Sequence, residues 1–139
     1  MKSIMRGSVI LIVFFISGYA TTPHGGELAA NDLSTAETTK LFSGKTVEGT
    51  VVRHGYFFNA YFDPKGTIRV VYDDGRKRQG KWHVDNKGRK CIQWDGHIKE
   101  MCNIIVNDKG VYKEVKVDSG ERSHIVTFKK FTDGNLYGL

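Results

Sequence analysis

Between Arg76 and Lys90 the chain carries seven basic side chains, Arg76, Lys77, Arg78, Lys81, Lys87, Arg89 and Lys90, against one acid, Asp85. Clustered ammonium and guanidinium groups contact phosphates and carboxylates. The chemistry on offer is therefore ligand binding through anions: an anionic glycan or lipid head group of a cell envelope, or an acidic protein partner. Alternation places Gly80, Trp82 and Val84 on one face of a strand and Lys77, Gln79, Lys81 and His83 on the other. The cations would then form a single ridge along one hairpin, with Trp82 at its base. The competing reading is a solvated edge hairpin whose lysines discourage sheet-to-sheet association. Nucleic acid is not an expected partner, because no series of exposed aromatics accompanies the charge to stack bases.

The two cysteines, Cys91 and Cys102, are expected to form a structural disulfide, as an even count in an exported chain implies. A hairpin turning at Gly96-His97 sets Cys91 directly across from Cys102, with Gly96 suited to the first position of a type II′ turn. A turn at Asp95-Gly96 would instead put Cys91 opposite Glu100. Closing so short a loop is worth roughly 3 kcal/mol on the chain-entropy account. The spacing is not Cys-x-x-Cys, and His97 alone does not complete a zinc set, so neither a redox role, a metal nor a cofactor is expected.

No catalytic constellation stands out. Asp118-Ser119-Gly120 lacks the flanking glycines of a serine-protease nucleophile loop, and there is no Gly-x-Ser-x-Gly elbow, phosphate loop or His-Glu-x-x-His. His54, His83, His97 and His124 are scattered over separate strands and turns. A non-enzymatic protein is the expectation.

The elements that must position these residues are set by a regular beat of turns. Signals begin at Asp63, Asp73, Asp85, Asp95, Asn107 and Asp118, each running into a glycine, at intervals of 10, 12, 10, 12 and 11 residues. Asp and Asn hydrogen-bond their own backbone in turns, and glycine supplies the positive φ of a tight corner. Between the signals lie short runs rich in Val, Ile, Tyr, Phe and Trp. The spacing predicts strands over 46–53, 56–62, 67–72, 76–84, 90–94, 99–106, 111–117 and 122–131. An all-β protein follows: a single antiparallel meander of about eight strands forming a small barrel or sandwich. In the seventh run, Val111, Val115 and Val117 share one face and Tyr112, Glu114 and Lys116 the other, which reads as a dry and a wet side. Tyr56-Phe57-Phe58 and Tyr61-Phe62 are apolar on both faces, which suggests an outer cover, for which the helix is the candidate.

That helix is short and N-terminal. Ser34-Thr35-Ala36-Glu37 fits a capping box and Gly44 is placed to end the helix, which gives Leu33 to Ser43. Leu33, Ala36, Leu41 and Phe42 form a modest apolar stripe, enough to lie against a barrel end or sheet edge.

Residues 1–20 have the parts of a secretory signal: Lys2 and Arg6, an apolar run from Val9 to Ile16, and small residues up to Ala20. The alternative, a membrane anchor, would need about 18 to 20 apolar residues. Cleavage near Ala20 gives a periplasmic or secreted protein with no transmembrane segment. Tyr19 stands where a lipoprotein signal carries its acylated cysteine, so no lipid is expected. His24 is fourth from that terminus, and Pro23 lacks an amide hydrogen, so an amino-terminal copper site fails. Residues 21–32 read as a linker and 33–139 as the β-domain. Across the whole chain, 21 basic and 15 acidic residues give a net charge of +6.

Leu41-Phe42-Ser43-Gly44-Lys45-Thr46, Tyr61-Phe62-Asp63-Pro64-Lys65-Gly66-Thr67, Gly80-Lys81-Trp82, Cys91-Ile92-Gln93-Trp94 and Cys102 occur in this order. Over about residues 33–115 the chain thereby resembles a family of small exported proteobacterial proteins of uncharacterised function, lipocalin-like in build. The resemblance implies export, a barrel and a disulfide, and carries no activity with it. The functional expectation is an exported β-barrel binding protein that takes a small ligand in its mouth or an envelope component on its basic hairpin. A protein-interaction module, such as a hydrolase inhibitor, is the alternative.

Overall fold

The computed structural model describes Leu28–Leu139. The expected signal segment, the lipobox-like Tyr19, His24 and the first part of the expected linker lie outside these residues. Helix α1 (Thr35–Phe42) precedes eight strands: β1 (Lys45–Val51), β2 (Tyr56–Phe62), β3 (Thr67–Tyr72), β4 (Lys77–Val84), β5 (Lys90–Trp94), β6 (Met101–Asp108), β7 (Val111–Asp118) and β8 (Glu121–Asp133). Each strand pairs antiparallel with the next, and β8 returns to β1, closing a barrel. Closure leaves no free sheet edge for another chain to pair with. Between the two architectures left open by the sequence, the barrel is the one formed. Among the described residues no helix is long and apolar enough to cross a membrane.

The corners are built as their residue types require. Lys109-Gly110 and Ser119-Gly120 are two-residue hairpin turns in which all four residues have positive φ, the conformation that matches the right-handed twist of the flanking strands. The β5–β6 connection differs from expectation. It is a longer loop, 95–100, whose first corner closes with a bond from His97 N–H to Trp94 C=O. Strand β6 consequently starts at Met101, not at Lys99. Cys91 and Cys102 are still direct cross-strand partners and are joined by a disulfide.

Helix α1 is capped as predicted, with the Ser34 and Glu37 side chains each bonding the other's backbone N–H. It does not cover the outer face of β2. Instead it closes one end of the barrel, and fully buried Phe42 reaches inside to meet Phe62, Phe128 and Phe131 with centroids 4.9, 5.2 and 5.3 Å away. The β4–β5 turn holds the helix there: Thr38 Oγ1 donates to Gly88 C=O at 2.9 Å and Thr35 Oγ1 to Asp85 C=O at 2.8 Å. Gly88 is required at this contact, since a Cβ would stand 2.4 Å from the Leu33 carbonyl. Residues 134–139, not the helix, lie on the outside near Tyr61. They bond Thr46 and Arg69, its cross-strand neighbours on either side.

The last residues of the expected linker are also tied to the barrel. Asn31 C=O accepts from Asn107 N–H, Asp32 bridges to Val106, and Arg122 is ion-paired with Asp32. Phe42, Phe62, Trp82, Phe128 and Phe131 fill the closed half of the barrel. The other half is not filled.

Candidate functional site

The open half holds a cavity of about 230 Å³. Alternation along each strand aims Phe58 and Ala60 of β2, Ile68, Val70 and Tyr72 of β3, Ile92 and Trp94 of β5, and Val126 of β8 into it. Its wall is mostly apolar, with polar groups at two levels.

Arg78 is at the mouth. On β4 it shares the inward face with Gly80 and Trp82, and its guanidinium lies 4.1 Å from the centroid of the Trp94 ring. Flat stacking of this kind fixes an arginine while leaving the edge of its fork free for an anion.

At the floor are Lys90, Asn103 and Glu114. Lys90 and Asn103 are cross-strand partners on β5 and β6, and Glu114 faces inward from β7 beside Ile105. Lys90 Nζ donates to Glu114 Oε2 at 2.7 Å, and Asn103 Nδ2 donates to Glu114 Oε1 at 2.8 Å. Lys90 is only 3% exposed, and its ammonium also meets the rings of Phe42, Phe62 and Phe128 at 5.1, 5.5 and 5.1 Å. Two charges taken out of water at this depth persist because each neutralises the other and the carboxylate oxygens are both bonded.

The seven expected basic residues are therefore not one ridge. Arg76 and Arg78 are at the mouth, Lys77 and Lys81 point outward from β4, Lys87 and Arg89 belong to the closed-end turn, and Lys90 is inside. The physical reason is the pleat: a strand sends neighbours to opposite faces, and β4 and β5 carry the run to both ends of the barrel. Several members are already engaged. Arg76 is paired with Asp74 and lies 4.6 Å over the Tyr56 ring, and Arg89 is bonded to Asp85 at 2.6 Å. At the rim, Asp73, Asp74, Asp95 and Glu100 offset Arg53, Arg76, Lys77 and Lys99. Trp82 is in the core, not under an exposed ridge.

Glu114 and Asn103 are the polar residues that sequence reasoning missed. The faces of β7 depart from expectation: Tyr112 and Glu114 point in and Val111 and Val117 are exposed, while Val115 alone of the three valines is buried as expected. A bulge between Glu114 and Val115 breaks the alternation there. The signal was present one hairpin earlier. Pairing Cys91 with Cys102 puts Lys90 opposite Asn103, on the same face as Ile92 and Trp94, and an inward lysine needs a counter-charge.

The histidines do not converge. His54 stacks on Tyr56, His124 bonds Thr127, and His83 Nε2 is in hydrogen-bond contact with Glu100. Among the described residues, the two clusters of potential metal ligands, His83–Cys91–Glu100 and Asp85–Cys91–Cys102, both draw on the bonded sulfurs of the disulfide. A larger groove of about 530 Å³ runs outside the barrel beside α1. Its charged lining mixes Asp32 and Glu37 with Lys40 and Lys45, so it presents no charge of one sign.

The fold and cavity define a class: a small closed antiparallel barrel, plugged at one end and open at the other, with polar groups at mouth and floor. No protein-family model, curated protein or solved structure matches the chain.

Proposed function

We propose that this is a non-enzymatic exported binding protein that takes a small amphipathic anion into the open half of its barrel. One observation carries the reading: Arg78 is held on Trp94 at the mouth of a cavity with a mostly apolar wall. An apolar body would lose water against Phe58, Ile92 and Val126, worth roughly 25 cal/mol per Å² buried, while its anionic group bonds the guanidinium. A few convergent polar groups in an apolar concavity are the usual make-up of small-ligand sites. Export to a periplasmic or extracellular space belongs to this proposal, supported by the charged and apolar pattern of residues 1–20 and by the disulfide.

Decanoate, titrated against the protein while tryptophan emission is followed, is expected to bind saturably. Arg78→Gln should weaken it about tenfold or more, the worth of a charge-assisted hydrogen bond. Absence of saturable binding, or an unchanged affinity in the variant, overturns the proposal.

A protein-interaction module is the second reading. What favours it is Ile98, 96% exposed in the β5–β6 loop, with half-exposed Met101 beside the disulfide. A tight one-to-one protein complex lost on Ile98→Ser, with no effect of Arg78→Gln, would support it over ligand carriage.

A further inference from the structure

The floor of the cavity restricts what a ligand can bring to it. Lys90 has three N–H donors and spends one on Glu114; three phenyl rings surround the ammonium. Asn103 spends its amide nitrogen on the same carboxylate, which leaves its Oδ1 to accept. A spare donor and a spare acceptor thus stand together at the bottom of an apolar cavity. The ion pair is already neutral as a whole. An ionised group placed against it would be desolvated without a counter-charge of its own. An uncharged hydroxyl avoids that cost and can do two things there, accepting from Lys90 Nζ and donating to Asn103 Oδ1.

The separation of floor and mouth sets the length. Trp94, which carries Arg78, lies on the same face of β5 as Lys90 and four residues away, about 13 Å along the strand. A cavity of about 230 Å³ drawn out over that distance is elongated, and an extended chain matches its length. We infer that the site is two-ended and takes an unbranched ω-hydroxy acid of about ten carbons. The hydroxyl enters first, onto Lys90 and Asn103, and the carboxylate stays at the mouth on Arg78. This rests on the ligand-carrier reading above and specifies its ligand.

Isothermal titration of the full chain with decanoate, its ω-hydroxy derivative and the ten-carbon dicarboxylate tests it. The hydroxy acid is expected to bind about tenfold more tightly than decanoate, the worth of one buried hydrogen bond. The dicarboxylate should bind more weakly than decanoate, because its inner end is charged. In the double variant Lys90→Met, Glu114→Gln the preference for the hydroxy acid should shrink, because only the Asn103 acceptor remains. The wild-type comparison decides alone if that variant does not fold. Equal binding of decanoate and the hydroxy acid, or a preference undiminished in the double variant, overturns the inference and leaves the carrier reading standing. Tightest binding of the dicarboxylate also overturns it, by making Lys90 an anion contact. Failure of all three acids to bind overturns both.

Discussion

Lys90 and Glu114 illustrate how far a single side chain departs from its expected place. Lys90 belongs by sequence to a basic run and by position to a buried pair, with side chains 4% and 7% exposed. Removing one partner leaves the other charged among phenyl rings. Glu114→Leu is therefore expected to lower stability by about 3–5 kcal/mol, while Lys90→Met combined with it should recover most of that loss. Urea denaturation of the two variants decides; equal loss in both would mean that the pair is not what holds the floor together. Asp85 supplies a pH test. Partial burial pushes its carboxyl up, but bonds from the Arg89 backbone and side chain and from the Lys87 backbone outweigh that and hold it below the usual carboxylate range. A folded value below the unfolded one adds stability that is present above about pH 4 and lost as the pH falls through the folded value. Asp85→Asn should thus be less stable than wild type at neutral pH and show a flatter decline below about pH 4. Parallel declines in the two proteins would remove Asp85 from the acid response.

At the scale of elements, α1 acts as a plug. Its capping box is a local pattern of side chain to backbone, so Ser34 and Glu37 are readable in the sequence. Which neighbour receives Phe42 is not readable, because an apolar stripe specifies burial and not a partner. Phe42→Ala is expected to cost about 3–5 kcal/mol, since the ring is enclosed by other rings and the site cannot collapse. A loss under 1 kcal/mol in a denaturant titration would show the helix to be only loosely seated. Strand β7 shows the opposite limit of sequence reading. Its valines suggested the dry face, yet the bulge at Glu114/Val115 and the inward lysine of β5 turn Glu114 inside. Burial there follows the charge partner, not the hydrophobicity of the strand. Strand positions were otherwise legible, because aspartate and glycine corners act within four residues.

At the scale of the molecule, eight strands close on themselves and one cross-link ties two of them. Cys91→Ala with Cys102→Ala should lower stability by roughly 3 kcal/mol, the loop-entropy worth of a short cross-link, with the barrel retained. Circular dichroism and a denaturant titration test both parts; loss of β-structure in the double variant would make the bridge a condition of folding. The charge distribution is also a property of the whole. A run with one sign becomes a dispersed set once β4 and β5 have alternated and reversed, so among the described residues it leaves no basic edge at the rim. By itself the sequence determined the number of strands, their corners except the β5–β6 loop, the helix cap and the Cys91–Cys102 pairing, since these are short-range or set by cross-strand register. Only the tertiary structure decided that the sheet closes, that Phe42 fills one end, and that Lys90, Asn103 and Glu114 meet inside. Those outcomes depend on residues far apart in the chain competing for the same interior, and no local pattern records which of them will be neighbours.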